Sequence, residues 1–382
     1  MFMHRIVDTD QHVIEPPDFW TSRMSKRWQA VAPRVVDYPR GGQAWSFEGG
    51  VWLRPFGLES AAGRAPASLN TYGNTFENMD PSSYDPHKRL EAMDIDGVDT
   101  AILYPSVAMS ASSIQDDDLY LECFRTYNTA LWEWCQEGDP QRLIPAAIMP
   151  AIGVETAMQE LERVAKIGYK TYMFNAWPSG SKYPTAADDP FWRLCEESGL
   201  VISLHGSGAG RAQIAPGAMA GAKTPKGTTI KRMGQEHVND TRASGLHVGQ
   251  PLAMFALTGI LERFPKLRLS LVETGASWLP FHMEQLDRTY SFQRWAVGRH
   301  LEKMPSDYLN RQMRAGIQLD GAAVTYRHEI GVEKIMYSTD FPHATCDWPN
   351  SRQWTHFILK GVPEKEQEMI LSGNAREWYN LE

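Results

Sequence analysis

The strongest constraint on this chain is a repeated alternation: a short β-rich run, then a polar helical run, then another β-rich run, eight times in order. That alternation predicts parallel strands joined by helical crossovers. The strand candidates are Arg5–Asp10, Thr100–Tyr104, Leu143–Met149, Lys170–Phe174, Val201–His205, Leu267–Glu273, a weaker run at Ala315–Leu319, and Lys334–Asp340. Helical patterns are predicted at 89–97, 118–137, 154–167, 190–198, 252–263, 279–298 and 363–378. Eight such units in 382 residues fit one (β/α)8 TIM-type barrel, which takes about 250 to more than 400 residues with insertions. No boundary or low-complexity tract divides residues 1–382, so a single domain is expected. Two stretches interrupt the alternation, residues 38–85 with a hairpin pattern in WSFEGGVWLRP, and residues 206–250. Both read as insertions over the C-terminal mouth of a distorted barrel; loops of that length in a compact domain tend to carry function.

Polar residues at the ends of apolar strands point to chemistry. They occur in DTDQH (Asp8, Asp10, His12), SLHG (His205), LVETG (Glu273) and YSTDFPH (Asp340, His343). Barrel strands deliver their C-terminal ends to one mouth, so residues distant in sequence meet there. Strand alternation puts Asp10 and His12 on one face. Carboxylates and imidazoles are donors for a divalent first-row metal. Asp10, His12, His205 and Asp340 form the candidate metal set. Asp8 reads as a strand-end hydrogen-bond partner. Glu15 divides between a loop salt bridge and a site role, and His247 lies just before the helix leading to strand 6. Arg54, Arg211, Lys231 and Arg242 lie in the insertions, where solvated charge or carboxylate binding is open to them. Trp52, Trp177, Phe341 and Trp348 can line a pocket or simply pack.

Composition narrows the partners. Hydrophobic residues make up 42% and charged residues 22%, as in ordinary globular domains, so the chain can bury a core. A formal net charge of −8 argues against a nucleic acid or an anionic membrane surface. No run of apolar residues is long enough for a membrane span, and MFMHRIVDTDQH has no signal-like apolar core, so a cytoplasmic location is expected. Cys123, Cys135, Cys195 and Cys346 form no CxxC pair and read as free thiols.

The motifs DTDQHVIEPPDFW, RLEAMDIDGVDTAILYPS, DPFWRLCEESGLVISLHG, ILERFPKLRLSLVETGASWLP, YSTDFPH and GNAREWYNL occur in that order over nearly the whole chain. With them the chain resembles the amidohydrolase-related family, the branch that includes aminocarboxymuconate-semialdehyde decarboxylase and γ-resorcylate decarboxylase. The resemblance implies a distorted barrel, usually dimeric, holding Zn or Mn. It places Asp10 at the first ligand position of an HxH- or ExH-type motif, His12 at the second, His205 at the strand-5 ligand and Asp340 at the strand-8 ligand. One departure matters. The decarboxylases end strand 6 in a histidine that serves acid–base catalysis, and here Glu273 stands in its place.

Three readings follow. In the first, a metal-activated water or metal-bound substrate supports hydrolysis or non-oxidative decarboxylation of a small organic substrate. Glu273 or Asp340 then handles the proton, and His343 steadies developing negative charge. In the second, Glu273 is itself a ligand, with Glu15 and His247 as further candidates, and a dinuclear Fe/Fe or Mn/Fe centre hydroxylates an aliphatic C–H bond. In the third, the chain is a silent partner in a hetero-oligomer with a paralogue. A homodimer is the expectation by family analogy.

Overall fold

In chain order the strands are β1 (Val7–Val13), β2 (Arg34–Asp37), β3 (Gln43–Phe47), β4 (Trp52–Pro55), β5 (Thr100–Pro105), β6 (Leu143–Ile148), β7 (Thr171–Phe174), β8 (Val201–His205), β9 (Arg268–Val272), β10 (Met313–Ile317) and β11 (Ile335–Tyr337). The computed structural model describes residues 4–65, 68–206, 248–297 and 300–382. Eight strands form one sheet, in the order β1-β5-β6-β7-β8-β9-β10-β11. The neighbouring ladders are all parallel. The sheet curls into a nearly closed (β/α)8 barrel, as the alternation predicts. Between its first and last strands the closure is thin. An isolated bridge joins Gln11 to Phe341, His12 N donates to Phe341 O at 2.6 Å, and Asp340 N donates to Asp10 O at 2.9 Å.

The main flanking helices are α1 (Pro86–Asp96), α2 (Asp117–Glu137), α3 (Val154–Ile167), α4 (Asp189–Ser198), α5 (248–257), α6 (Ile260–Arg263), α7 (Leu279–Val297) and α8 (Pro305–Gln312). Local chemistry sets their ends. The Asp85 carboxylate caps α1 by accepting from His87 N and Lys88 N, Pro86 fits the first turn, and Gly97 ends the helix at φ 77°. The helix predicted at 252–263 is two helices, because the chain turns at Gly259, φ 70°. α8 was not anticipated, and strand 7 lies two residues earlier than its sequence pattern suggests.

The first insertion holds a three-stranded antiparallel sheet, β2-β3-β4, of which the WSFEGGVWLRP hairpin is the β3–β4 part. Arg54 on β4 donates to Ser106 O beyond β5 at 2.6 Å, which places this sheet against the barrel mouth. Of the second insertion, residues 206–250, residues 207–247 lie outside the described residues, with Arg211, Lys231, Arg242 and His247.

The barrel interior is less apolar than expected. Tyr104 Oη donates to Ser203 Oγ at 2.8 Å, Ser203 and Thr171 hydroxyls meet at 2.8 Å, and Tyr379 Oη donates to Ser270 Oγ at 2.6 Å. This buried hydroxyl layer is satisfied internally, so it costs little. Among the described residues no helix is long and apolar enough to cross a membrane. All four cysteines are free thiols, Cys123, Cys135 and Cys195 buried and Cys346 half-buried.

Candidate metal centre and active site

β1 runs past the end predicted for strand 1, so Asp10 and His12 lie inside the strand rather than at its end. A shift in the β1–β5 register between Asp8 and Gln11 breaks the regular pleat there. Such a bulge re-aims side chains, and bulges are common beside functional sites. His205 closes β8. Asp340 follows β11 by three residues at φ 63°, and Glu273 follows β9 at φ 59°. Left-handed backbone on a non-glycine residue costs about 1–3 kcal/mol and collects at functional sites. Both carboxylates are therefore held at the mouth against a local penalty. A Cβ on Gly206 would sit 2.8 Å from Glu273 O and 3.1 Å from Glu273 Oε2, so the glycine after His205 makes room for this glutamate.

The predicted ligands converge. His12 Nε2 lies 3.2 Å from His205 Nε2, 3.6 Å from Asp10 Oδ1 and 3.7 Å from Asp340 Oδ1. His205 Nε2 lies 3.6 Å from Asp10 Oδ1. With metal–donor bonds of about 2.1 Å, tetrahedral donors stand roughly 3.4 Å apart, so these spacings match the edges of a single coordination shell. Asp10, His12 and His205 form one cluster of potential ligand atoms, and His12, Asp340 and His343 form another that shares His12.

Hydrogen-bond accounting supports the same point. Both Asp10 carboxylate oxygens are buried without a hydrogen-bond partner, whereas Asp340 Oδ1 meets His343 Nδ1. Buried polar groups normally find one, and an orphaned carboxylate is expensive unless a cation completes it. His12 Nδ1 sits 3.0 Å from Pro105 O, which can only accept, so Nδ1 carries the proton and Nε2 presents its lone pair to the cluster. His205 Nδ1 faces Glu273 Oε2 at 3.5 Å, which turns its Nε2 inward in the same sense. The residues fit a divalent cation.

The electrostatics agree. Burial, then the nearby Asp340, pushes Asp10 well above the ordinary carboxylate value. Burial, then His343 and His205, pulls His12 well below the imidazole value, and burial also lowers His205. Burial raises Glu273 to about 7, against the opposing pull of His205. His343 is 2.7 Å from Asp340 Oδ1 and stacks on His12 with centroids 4.2 Å apart. Burial is the largest influence and works against its charge, yet Asp340, Glu273 and Asp10 together hold it above its ordinary value.

Other candidates lie elsewhere. Glu273 flanks the cluster beside His205 without joining either ligand group. Glu15 is buried, and its carboxylate accepts from Val107 N at 2.9 Å and Ala108 N at 2.8 Å, pinning the loop after β5. Arg54 is taken up by Glu59 and by Ser106 O. Trp52 stacks on Phe47, Trp177 packs with Phe174, Trp192 and Phe255, and Trp348 Nε1 donates to Ala92 O. Two supporting residues escaped the sequence reading. Asp320 accepts from Ala276 N and Ser277 N and so steadies the turn after Glu273. Arg89 is buried beneath β1; its position on the buried stripe of α1, with Pro86, Ala92, Met93 and Asp96, was the available signal.

Comparison with known proteins bears on the fold and the family. The chain is 24% identical over 308 residues to γ-resorcylate decarboxylase from Polaromonas sp., covering 77% of this chain and 87% of the relative. It is 20% identical over 318 residues to 2-amino-3-carboxymuconate-6-semialdehyde decarboxylase from Dictyostelium discoideum, covering 83% and 82%. Among solved structures, an amidohydrolase from Mycobacterium avium subsp. paratuberculosis superposes with a TM-score of 0.75 at 16% identity, covering 100% of this chain and 99% of the other. A dihydroxybenzoic acid decarboxylase from Polaromonas sp., solved with bound manganese and 2-nitroresorcinol, gives a TM-score of 0.66 at 18% identity, covering 99% and 98%. Residues 7–381 match the amidohydrolase family as a whole, and the chain belongs to that family.

Proposed function

We propose that this protein is a metal-dependent, non-oxidative decarboxylase of a small organic carboxylate. The observation that carries the reading is a buried, unpartnered carboxylate, Asp10, facing two inward-turned imidazoles, with a protonatable glutamate at the rim. The decarboxylases among its relatives support the choice of reaction.

Asp10, His12, His205 and Asp340 would hold the ion, with manganese or zinc the natural fit to two imidazoles and two carboxylates. A divalent ion there supplies fixed positive charge that anchors a substrate carboxylate or its neighbouring hydroxyl. The Tyr104 ring, centred 5.3 Å from that of His205 and 6.3 Å from that of His12, covers the inner side of the site. Glu273 is the proton donor: a carboxyl near pH 7 is matched to delivering a proton at neutral pH. The bond from carbon to carboxylate breaks, its electron pair stays on carbon, and the Glu273 proton completes a new C–H bond. CO2 leaves. Glu273 regains its proton from solvent through its side chain, which is 37% exposed.

The test is a panel of hydroxylated aromatic and unsaturated carboxylates, run without oxygen in D2O. The expected result is metal-dependent CO2 release, with deuterium at the vacated carbon. Water addition without CO2 would establish hydrolysis instead. The dinuclear oxygenase reading draws on the second ligand cluster, with His343, and on Glu273 beside the first. Two iron-type ions per chain with oxygen uptake would establish it; one ion per chain is expected.

A further inference from the structure

We propose that Asp8, Gln11 and Arg89 form a buried clasp that sets the spacing of the metal ligands across the thin closure of the barrel. The inference rests on the metal-site reading above. The ligands Asp10 and His12 lie on β1, and Asp340 lies past β11. Those strands share no regular ladder at the mouth; an isolated bridge, two backbone hydrogen bonds and the Thr9 hydroxyl, which donates to Tyr337 O at 3.0 Å, join them. Something besides the sheet must therefore fix how far Asp340 stands from His12.

The Asp8 carboxylate bridges the gap. It accepts from Asp10 N at 3.1 Å and from Gln11 Nε2 at 2.8 Å on its own strand. It accepts from Thr339 N at 3.0 Å and Thr339 Oγ1 at 2.5 Å on the other side. It thus grips a ligand's own amide and the residue just before another ligand. Gln11 passes the connection on, because its Oε1 accepts from Arg89 Nη1 at 3.2 Å. Arg89 donates to His12 O at 2.7 Å and to Ser82 O at 2.8 Å, and its guanidinium lies 4.7 Å from the centre of the Phe341 ring. So the clasp touches the backbone or a chain neighbour of three ligands, and none of its members touches the cluster's inner atoms. A packing role alone would not require contacts on both sides of each ligand. These are positioning residues, acting through the ligands they hold. Partners of this kind typically change metal affinity by about 10–100-fold.

The experiment measures Mn(II) affinity and the Co(II) absorption spectrum of wild type, Asp8→Asn, Gln11→Met and Arg89→Lys, each checked for folding by circular dichroism. Asp188→Asn is the control. Asp188 is equally buried and also binds loop amides, Ser179 N and Thr185 N, both at 2.8 Å, but it closes the capping box of the 3-10 turn Ala186–Asp188 and touches no ligand. Weaker Mn(II) binding by about 10–100-fold and a shifted Co(II) spectrum are expected in the clasp variants only. Gln11→Met removes the bridge alone, so it decides the matter if Asp8→Asn or Arg89→Lys does not fold. Folded clasp variants with wild-type affinity and spectrum would overturn the clasp. A wild type that binds no metal would instead overturn the reading of the site.

Discussion

Asp8 and Asp10 stand two residues apart on the same strand, each almost fully buried, and their surroundings differ completely. Asp8 accepts four hydrogen bonds and fastens β1 to the segment after β11. Asp10 accepts none. The first has its oxygens bonded within the protein and so serves the fold, although burial still raises its carboxyl to about 8. The second leaves its burial uncompensated among imidazoles, which is the signature of a group waiting for a cation. Residue type and exposure are equal, so hydrogen-bond accounting is what separates structure from function here.

The contrast can be broken by substitution. Asp10→Ala has the largest expected effect: metal content falls to background by elemental analysis, while the metal-free protein becomes more stable, by about 1–3 kcal/mol, as an unpaired polar group is removed. A metal-free Asp10→Ala protein that unfolds more easily than wild type would erase the distinction. Glu273→Gln comes next. Turnover falls by about 10²–10⁴-fold, with metal content unchanged, because the proton donor is lost and the ligand set is intact. Loss of the ion in this variant would make Glu273 a ligand instead. Asp8→Ala strands several buried donors and lowers metal-free stability by about 3 kcal/mol in urea unfolding, opposite in sign to Asp10→Ala.

The smallest effect is on pH dependence. Burial raises Glu15 and Glu273 to about 7 in the fold, above the 4.5 of an ordinary glutamate. Carboxyls raised by folding hold their protons more tightly in the native state, so stability falls as pH rises from near 4.5 through about 7. His12 and His205 are lowered, so they oppose this trend only below their ordinary value of 6.5. The metal-free protein should therefore lose stability as pH rises from 6.5 toward 7, and Asp8, raised by burial to about 8, extends the loss to that pH. Glu273 contributes least, because its 37% exposed side chain is screened by solvent. Glu15→Gln should flatten that slope, and melting curves across the range are the check.

Much of this was legible in the sequence. Eight apolar runs gave the barrel, and polar residues closing those runs marked Asp10, His12, His205, Asp340 and Glu273. The difference between Asp8 and Asp10 was less so: Asp8 read as a hydrogen-bond partner, but its bonds reach Thr339, 331 residues away, and no local pattern records them. The left-handed backbone at Glu273 and Asp340 was hidden too, because it depends on room made by Gly206 and on turns held from elsewhere in the chain. Arg89 lay on a helix whose buried stripe was readable, yet a lone arginine there gives no hint of the His12 carbonyl it meets.

The central claim is that Asp10, His12, His205 and Asp340 share one cation. Anomalous diffraction at the manganese edge, on crystals of protein grown in manganese-supplemented medium and active in the decarboxylation assay, tests it most directly. One peak per chain within bonding distance of all four residues is the predicted result. Active protein with no peak there, or with the ion bound elsewhere, would contradict the account.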